Sequence, residues 1–288
     1  MGIKLLFTIF MLLAITYSSL ADIQRRPDAY TTLERMLEHI ENVEGLKFKL
    51  RSWERLDDEM SYNEIIGKLN VRPTKIYIYS VSSPNKGAEV LYVEGERNGR
   101  ALVNPNSFPY VNVNLNPLGN QMRSDQHHTI FNTGFEFLAG IIRHAKESRL
   151  DGQSPDEFLE IEHNVFFANR LTHKVTIIDP DFTYVDYTIQ NGESLKDIAD
   201  RKFICEYLIV EKNGFRNFNS GRSGQTIQIP TSYAKKTELY IDIRNYLPIG
   251  QFMYDERGLF ERYEFYDVEV NPDFADDEFT SSFPDYNF

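Results

Sequence analysis

The sequence predicts an α+β fold in which helices pack on an antiparallel β-sheet and a small βααβ unit is inserted late in the chain. Three patterns lead to this prediction. Segments in which apolar and polar residues alternate recur along the chain, and two stretches carry apolar residues at helical spacing. Residues 183–231 read as strand, helix, helix and strand inside this strand-rich background.

The first residues predict export. Lys4 precedes an apolar stretch that ends near Thr16, and Ser19-Leu20-Ala21 fits a small-x-small cleavage site. The alternative is an uncleaved membrane anchor, but the stretch is shorter than the roughly 18–20 residues that span a bilayer. We therefore expect residues 1–21 to be a signal peptide cleaved near Ala21, no transmembrane segment, and a periplasmic or secreted protein.

Composition excludes one class of partner and one kind of cross-link. The chain has 288 residues, 41% of them hydrophobic, which is compatible with one large domain and one small one. Its formal net charge of −12 opposes binding to phosphate backbones, so we expect no nucleic acid partner. Cys205 is the only cysteine, so an intrachain disulfide is excluded.

The N-terminal half of the mature chain predicts one helix followed by a meander of strands. Apolar residues recur at helical spacing from Leu33 to Val43, after possible caps at Asp28, Thr31 or Thr32. From Gly45 the period changes to two, which predicts a half-buried strand. The same alternation predicts strands at residues 75–81, 90–93 and 111–115, with a tight turn at Asn98-Gly99.

The second half predicts a helix on the sheet and several more strands. Apolar residues fall on one helical face between positions 134 and 146. Alternating or β-rich segments then predict further strands, at residues 165–168, 174–178, 239–243, 251–254 and 259–270. The chain closes with an acidic, aromatic tail in which Asp276-Asp277-Glu278 is expected to be solvated.

The inserted block resembles the LysM family. The resemblance is carried by residues 187–199 (Tyr-Thr-Ile-Gln-Asn-Gly-Glu-Ser-Leu-Lys-Asp-Ile-Ala), 211–214 (Glu-Lys-Asn-Gly) and 224–230 (Gly-Gln-Thr-Ile-Gln-Ile-Pro). Between its two helices, bulky Phe203-Ile204 departs from the family's small residue. We expect residues 183–231 to form a LysM-like domain.

The LysM resemblance implies a binding site for N-acetylglucosamine-containing glycans, peptidoglycan or a chitin-type polymer, in a groove between two loops. On this chain the expected glycan-binding residues are those of the two loops, namely Asn191, Gly192, Glu193, Ser194, Leu195, Asn213, Gly214 and Phe215. Backbone groups would bind acetamido groups, while Leu195 and Phe215 would contact a sugar face. The alternative is that Gly192, Ser194 and Asn213 serve only as turn and cap residues.

The rest of the chain resembles the uncharacterised bacterial DUF1571 family. Residues 53–56, 68–72, 90–95, 254–265 and 271–288 carry this resemblance, which assigns a discontinuous domain to residues 30–180 and 238–288. The family is similar to the LolA/LolB lipoprotein carriers. The resemblance therefore implies a curved antiparallel half-barrel closed by helices, a bacterial periplasmic setting, and a cavity that holds a lipid or a lipoprotein acyl chain.

No residue pattern predicts a catalytic site, a metal site or a cofactor. Cys205 has no histidine near it in sequence, and the six histidines show no spacing that places two of them on one helical face. Distant histidines remain a possible metal set. The repeated pairs Glu54-Arg55 and Glu261-Arg262 are expected to pair across strands as structural ions.

Together these patterns predict an exported, non-enzymatic binding protein. Its LysM-like module binds glycan, and its LolA-like domain holds a lipid or an acyl chain. One alternative is a cell-envelope enzyme or accessory subunit that the module targets to its substrate. Another is a structural interaction protein whose cavity is filled by its own side chains.

Overall fold

A computed structural model describes residues 26–149 and 158–288; the expected signal peptide and its cleavage site lie outside them. The helices are α1 (Ala29–Glu41), α2 (Asn120–Arg123), α3 (Glu136–Arg149), α4 (Leu195–Lys202) and α5 (Glu206–Lys212). The strands are β1 (Gly45–Leu56), β2 (Glu59–Asn70), β3 (Lys75–Ser80), β4 (Glu89–Val93), β5 (Ala101–Asn104), β6 (Val113–Leu115), β7 (Leu159–Phe167), β8 (Arg170–Ile178), β9 (Tyr184–Thr188), β10 (Thr226–Pro230), β11 (Lys236–Asp242), β12 (Pro248–Asp255) and β13 (Gly258–Val270).

A large open antiparallel sheet dominates the structure. Eleven strands follow the order β6-β5-β4-β3-β2-β1-β13-β12-β11-β8-β7. The predicted antiparallel meander and α+β class are confirmed. Strand β2 was missed because its first half, Glu-Met-Ser-Tyr-Asn-Glu, is mostly polar, yet it pairs with β1 along its full length. The turn at Asn98-Gly99 is confirmed, with φ of 53° and 73°.

Two helices cover one face of the sheet as their spacing predicts. Helix α1 buries Leu33, Met36 and Ile40, and the Asp28 carboxylate caps it by accepting from the Thr31 backbone N–H at 2.7 Å. Helix α3 begins two residues later than predicted, just after buried Phe135. Its buried residues join the same hydrophobic core as those of α1.

The block between β8 and β11 forms the predicted βααβ unit. Strands β9 and β10 pair antiparallel in a separate two-stranded sheet, and α4 and α5 connect them. The ends of the unit lie side by side, because the Thr231 backbone N–H donates to the Thr183 carbonyl at 2.9 Å. This closeness explains how a unit of this size fits between two neighbouring strands of the large sheet.

The C-terminal tail packs against the other face of the sheet. Tyr286 stacks on Tyr77 of β3 with ring centroids 3.7 Å apart, and Phe279 is buried. The Glu278 carboxylate lies 2.8 Å from Lys47 Nζ and 2.9 Å from Lys68 Nζ. The expectation of a fully solvated acidic end is therefore wrong for Glu278, which is 4% exposed because the two lysines neutralise it.

Candidate functional site

A cavity of about 130 Å³ lies between the sheet and the segment that leads into α3. Three neighbouring strands supply its floor through residues two positions apart, which point to the same side of the sheet. The register aligns them in three cross-strand rows: Ile65–Leu50–Phe265, Asn63–Ser52–Tyr263, and Ser61–Glu54–Glu261. The cavity floor therefore changes from apolar to acidic over four residues of strand, or about 13 Å.

Two buried carboxylates stand opposite each other at the acidic end. Glu54 on β1 pairs in register with Glu261 on β13, and they are 7% and 0% exposed. Like charges in this position destabilise a sheet unless donors compensate them. Glu54 accepts from the Tyr263 hydroxyl and from the His127 backbone N–H, the latter at 2.9 Å. Glu261 accepts from the Tyr233 hydroxyl at 2.8 Å and faces both His127 and His128.

His127 supplies positive charge between these carboxylates. Its Nδ1 lies 2.8 Å from Glu261 Oε1, and its Nε2 lies 2.8 Å from the Arg55 carbonyl oxygen. Both partners are acceptors, so an imidazolium with two N–H groups satisfies both. Burial lowers the pKa of His127, but the hydrogen bond to Glu261 and the charge of Glu54 outweigh it, so the pKa is raised. Burial raises the pKa of Glu261, but the two histidines outweigh it and lower the pKa.

Cys205 completes the buried end of the cluster. Its Sγ lies 3.5 Å from Glu261 Oε1, and the residue is 2% exposed. Burial and the Glu261 charge raise the pKa of the thiol well above its usual value. The side chain is therefore a neutral thiol, which agrees with the prediction of a structural rather than a nucleophilic cysteine.

A second cavity, of about 240 Å³, lies on the other side of His128 and Phe137. Both cavities are lined by these two side chains, whose rings meet edge to face with centroids 5.0 Å apart. The second cavity separates α3 from the inserted unit and is also lined by Phe203 and Cys205. The His128–Phe137 pair, together with Thr129 and Asn132, thus separates two partly open cavities.

The family model described as a protein of unknown function, DUF1571, matches residues 43–191, which is more than half of the chain. The chain belongs to the DUF1571 family. The matched residues run from the end of α1 through β9 and include Glu54, His127 and His128, whereas Glu261 lies beyond them. No curated protein matches the sequence.

Several solved structures are similar to this DUF1571 protein. A crystal structure of MucB has a TM-score of 0.42 and 14% identity, covering 87% of this chain and 62% of its own. The chain thus spans less than two thirds of that MucB. The lipoprotein LppX of Mycobacterium tuberculosis scores 0.41 at 9% identity, covering 86% and 98%. A putative outer membrane lipoprotein-sorting protein domain of Vibrio parahaemolyticus scores 0.34 at 10%, covering 88% and 98%.

Buried ion pairs fix the inserted unit of the DUF1571 protein to the large sheet. The Arg55 guanidinium contacts Asp255 on β12 and lies 3.0 Å from Glu211 of α5. Arg123 lies 2.6 Å from Glu206, also on α5. The Arg55–Glu211 and Arg123–Glu206 pairs each join the large domain to the inserted unit, so they hold α5 against the large domain.

Side chains of the first predicted glycan-binding loop form hydrogen bonds and an ion pair with other residues of the inserted unit. Ser194 caps α4 in a capping box with Asp197, and Glu193 accepts from Tyr187 and pairs with Arg201. Asn191 and Gly192 are exposed beside an open groove. Leu195 is 1% exposed, so its side chain lies in the core and not on the surface that was expected to contact a sugar.

The second predicted loop is positioned by Asn213. This side chain donates to the Ile209 and Gln228 carbonyls and accepts from the Gln228 backbone N–H, which ties α5 to β10. Gly214 is exposed with a positive φ of 61°, and Phe215 is partly exposed. The groove beside the first loop contains none of these three residues. The use of both loops in glycan binding stays a prediction.

Sequence reasoning missed the cluster around Glu54 and Glu261. It paired Glu54-Arg55 with Glu261-Arg262 as a charge ladder, whereas the register places carboxylate opposite carboxylate. His127 was considered only as one of six histidines without metal-ligand spacing, and it lies in a loop. One signal was present in the sequence. Glu54 and Glu261 lie two residues from Ser52 and Tyr263, and therefore on the same face of each strand. A carboxylate on a buried face is expected only with hydrogen-bonding or charged partners.

Proposed function

We propose that this DUF1571 protein is an exported, non-enzymatic binding protein of the bacterial envelope, whose internal cavity holds a small amphiphilic ligand. The observation that carries this proposal is the row arrangement of the cavity floor, apolar at Leu50 and acidic at Glu54 and Glu261. Enclosed sites with mostly apolar walls and a few convergent polar groups are typical of small-molecule binding.

Cavity size sets the ligand that fits. An apolar cavity of about 150 Å³ accommodates benzene, so the 130 Å³ cavity takes a group about the size of one ring. A lipid acyl chain needs more room. Opening the His128–Phe137 wall would join this cavity to the 240 Å³ one and bring the space into the range of about 300–1,000 Å³ typical of ligand sites.

The acidic end sets the polarity of the ligand. A carboxylate offers about four acceptor positions, and two donors reach Glu54, from Tyr263 and from the His127 backbone. Within residues 26–149 and 158–288, Glu54 has no cationic side chain within ion-pair distance. We therefore propose that the ligand carries an ammonium or another hydrogen-bond donor, and that a free carboxylate is rejected.

Isothermal titration calorimetry with benzylammonium, benzyl alcohol and benzoate tests this proposal. We expect benzylammonium to bind more tightly than benzyl alcohol, and benzoate not to bind. Glu54→Gln removes the carboxylate charge that would face the ammonium and should lower benzylammonium affinity about tenfold, the size of one charged hydrogen bond. Glu89→Gln is the matched control, because Glu89 is also buried in the sheet but bonds Asn287. Equal binding of benzoate and benzylammonium would contradict the proposal.

For the inserted unit we propose LysM-like binding of peptidoglycan or a chitin-type glycan, which would tether the protein to the cell wall. The positions of Asn191, Gly192 and Gly214 support this, since all three residues are exposed and accessible to a ligand. Co-sedimentation with insoluble peptidoglycan, and separately with chitin, should decrease for Asn191→Ala and Phe215→Ala. Val185→Ala, an exposed change on β9, is the control. Absence of sedimentation for the wild type would reduce the unit to a structural or protein-docking role.

An envelope enzyme is the second candidate, and the facing carboxylates favour it. Glu54, Glu261 and His128 line the same cavity. Carboxylates and a histidine placed together in this way can act as a general acid and base. Incubation with muropeptides and chitin oligosaccharides, followed by mass spectrometry of the products, tests this reading. Turnover by the wild type that disappears in Glu54→Gln but persists in Glu89→Gln would replace the binding proposal.

A further inference from the structure

Three metal-binding side chain types from three separate parts of the chain converge behind the cavity. His127 comes from the loop after α2, Cys205 from the N-cap of α5, and Glu261 from β13. One ligand atom of each lies within 4.8 Å of those of the other two, and all three residues are buried. An imidazole nitrogen, a thiol sulfur and a carboxylate oxygen are all donors that Zn²⁺ accepts.

The residues around these donors match the surroundings of a metal-bound histidine. A metal-ligating histidine usually donates its other ring N–H to a carbonyl or a carboxylate, which fixes the ring. Here Nδ1 of His127 lies 2.8 Å from Glu261 Oε1, while Nε2 lies 2.8 Å from the Arg55 carbonyl oxygen. Tyr207 stacks on the same ring with centroids 4.0 Å apart. The ring is therefore held in the orientation that presents Nδ1.

We propose that His127, Cys205 and Glu261 form a binding site for a zinc-like divalent transition-metal ion. Tetrahedral ligands at zinc distances lie about 3.3–3.7 Å from one another. Glu261 Oε1 is already 3.5 Å from Cys205 Sγ and 2.8 Å from His127 Nδ1. Moving the last two atoms apart by about half an ångström brings this pair into the same range. His128 Nε2 lies 3.2 Å from the same Glu261 oxygen but is outside the set of three donors that lie within 4.8 Å of one another.

Binding is balanced in charge. The site without metal holds the His127 imidazolium, the Cys205 thiol and the Glu261 carboxylate. When a divalent ion binds, the Nδ1 proton and the thiol proton leave, so that a neutral imidazole and a thiolate become ligands. The two positive charges of the ion replace those of the two departing protons, so the total charge of the site does not change. The Nε2–H bond to Arg55 is retained in both forms.

The two cavities give the ion a route to the site. His127, His128 and Cys205 line the 240 Å³ cavity, and Glu261 and His128 line the 130 Å³ cavity. The donors therefore form part of the wall between two spaces that water-sized species can occupy. Because Cys205 comes from the inserted unit and Glu261 from the large sheet, the ion would also join the two parts of the protein.

Titration of the chelator-treated, full-length mature protein with Co²⁺ alone tests the site. We expect one equivalent to bind, with the near-ultraviolet charge-transfer absorption of a cobalt thiolate and the visible bands of a tetrahedral ion. Zn²⁺ should displace the Co²⁺ and abolish both. These two readouts use the wild-type chain and do not depend on the folding of a variant.

Variants then assign the ligands. Cys205→Ser should lose the charge-transfer band, and His127→Asn should weaken affinity by more than the roughly 10–100-fold that loss of an outer-shell partner costs. His144→Asn is the control, because His144 stacks on Phe203 beside the 240 Å³ cavity but is not one of the three donors. Failure of the wild type to bind one equivalent, or retention of the charge-transfer band by Cys205→Ser, would overturn the proposal.

Discussion

The substitution Arg55→Met tests whether buried ion pairs hold the inserted unit against the sheet. The Arg55 side chain is 7% exposed, and its partners Asp255 and Glu211 are 3% and 16% exposed. Removing one partner of a buried ion pair typically costs about 3–5 kcal/mol, because the remaining charge is left uncompensated. Glu211 keeps a second partner, Arg257, at 3.0 Å. We therefore expect the lower end of that range, about 3 kcal/mol.

Urea unfolding followed by the fluorescence of Trp53, the single tryptophan, measures this loss. Lys49→Met is the matched control on the same strand, because Lys49 and its partner Asp267 have side chains 50% and 71% exposed. An exposed pair contributes less than about 1 kcal/mol. Adding Asp255→Asn to Arg55→Met should recover part of the stability. A loss for Arg55→Met no larger than for Lys49→Met, or no recovery in the double variant, would refute the reasoning.

Two further predictions concern the tail and the cavity wall. Burial raises the pKa of Glu278, but hydrogen bonds from Lys47 and Lys68 outweigh this effect and lower the pKa. The contribution of Glu278 to stability is therefore complete above the ordinary glutamate pKa and is lost as the pH falls below that value. The hydrogen-exchange protection factors of residues 271–288 should therefore decrease below about pH 4.5. Glu278→Gln should decrease them at neutral pH, through a loss of roughly 1.5–3 kcal/mol; unchanged protection in that variant would contradict this. Phe137→Ala should join the two cavities and strengthen binding of dodecylammonium relative to benzylammonium in calorimetry, and an unchanged ratio would show that the wall does not limit ligand size.

The sequence predicted the helices and strands of this fold better than the pairing and contacts between them. Period-two alternation located β1, β3 and β4, and helical spacing located α1 and α3, because each pattern is set by residues close together in the chain. The βααβ order of the insertion followed from the same local signals. Strand β2 was missed because its polar first half is exposed or half-buried and is a strand through its pairing with β1, not through its own pattern.

The buried cluster around Glu54 and Glu261 could not be predicted from patterns of residues that are close together in sequence. His127 meets Glu54 across 73 positions of sequence and Glu261 across 134, and Cys205 meets Glu261 across 56. These contacts depend on the register of β1 with β13, which a β-bulge between Lys47 and Lys49 shifts. Such a shift decides which residue faces Glu54, and alternation alone does not reveal it.

Native mass spectrometry of the protein gently purified from cells that export it tests the central claim most directly. Ser52 lies in the middle row of the cavity floor, so Ser52→Phe should fill the cavity. Thr226→Phe is the control, because Thr226 is the exposed first residue of β10 in the inserted unit. We predict a non-covalent ligand of defined mass on the wild type and on Thr226→Phe, and none on Ser52→Phe. Ligand-free wild type, or the same ligand on a folded Ser52→Phe variant, would contradict a binding function for this cavity.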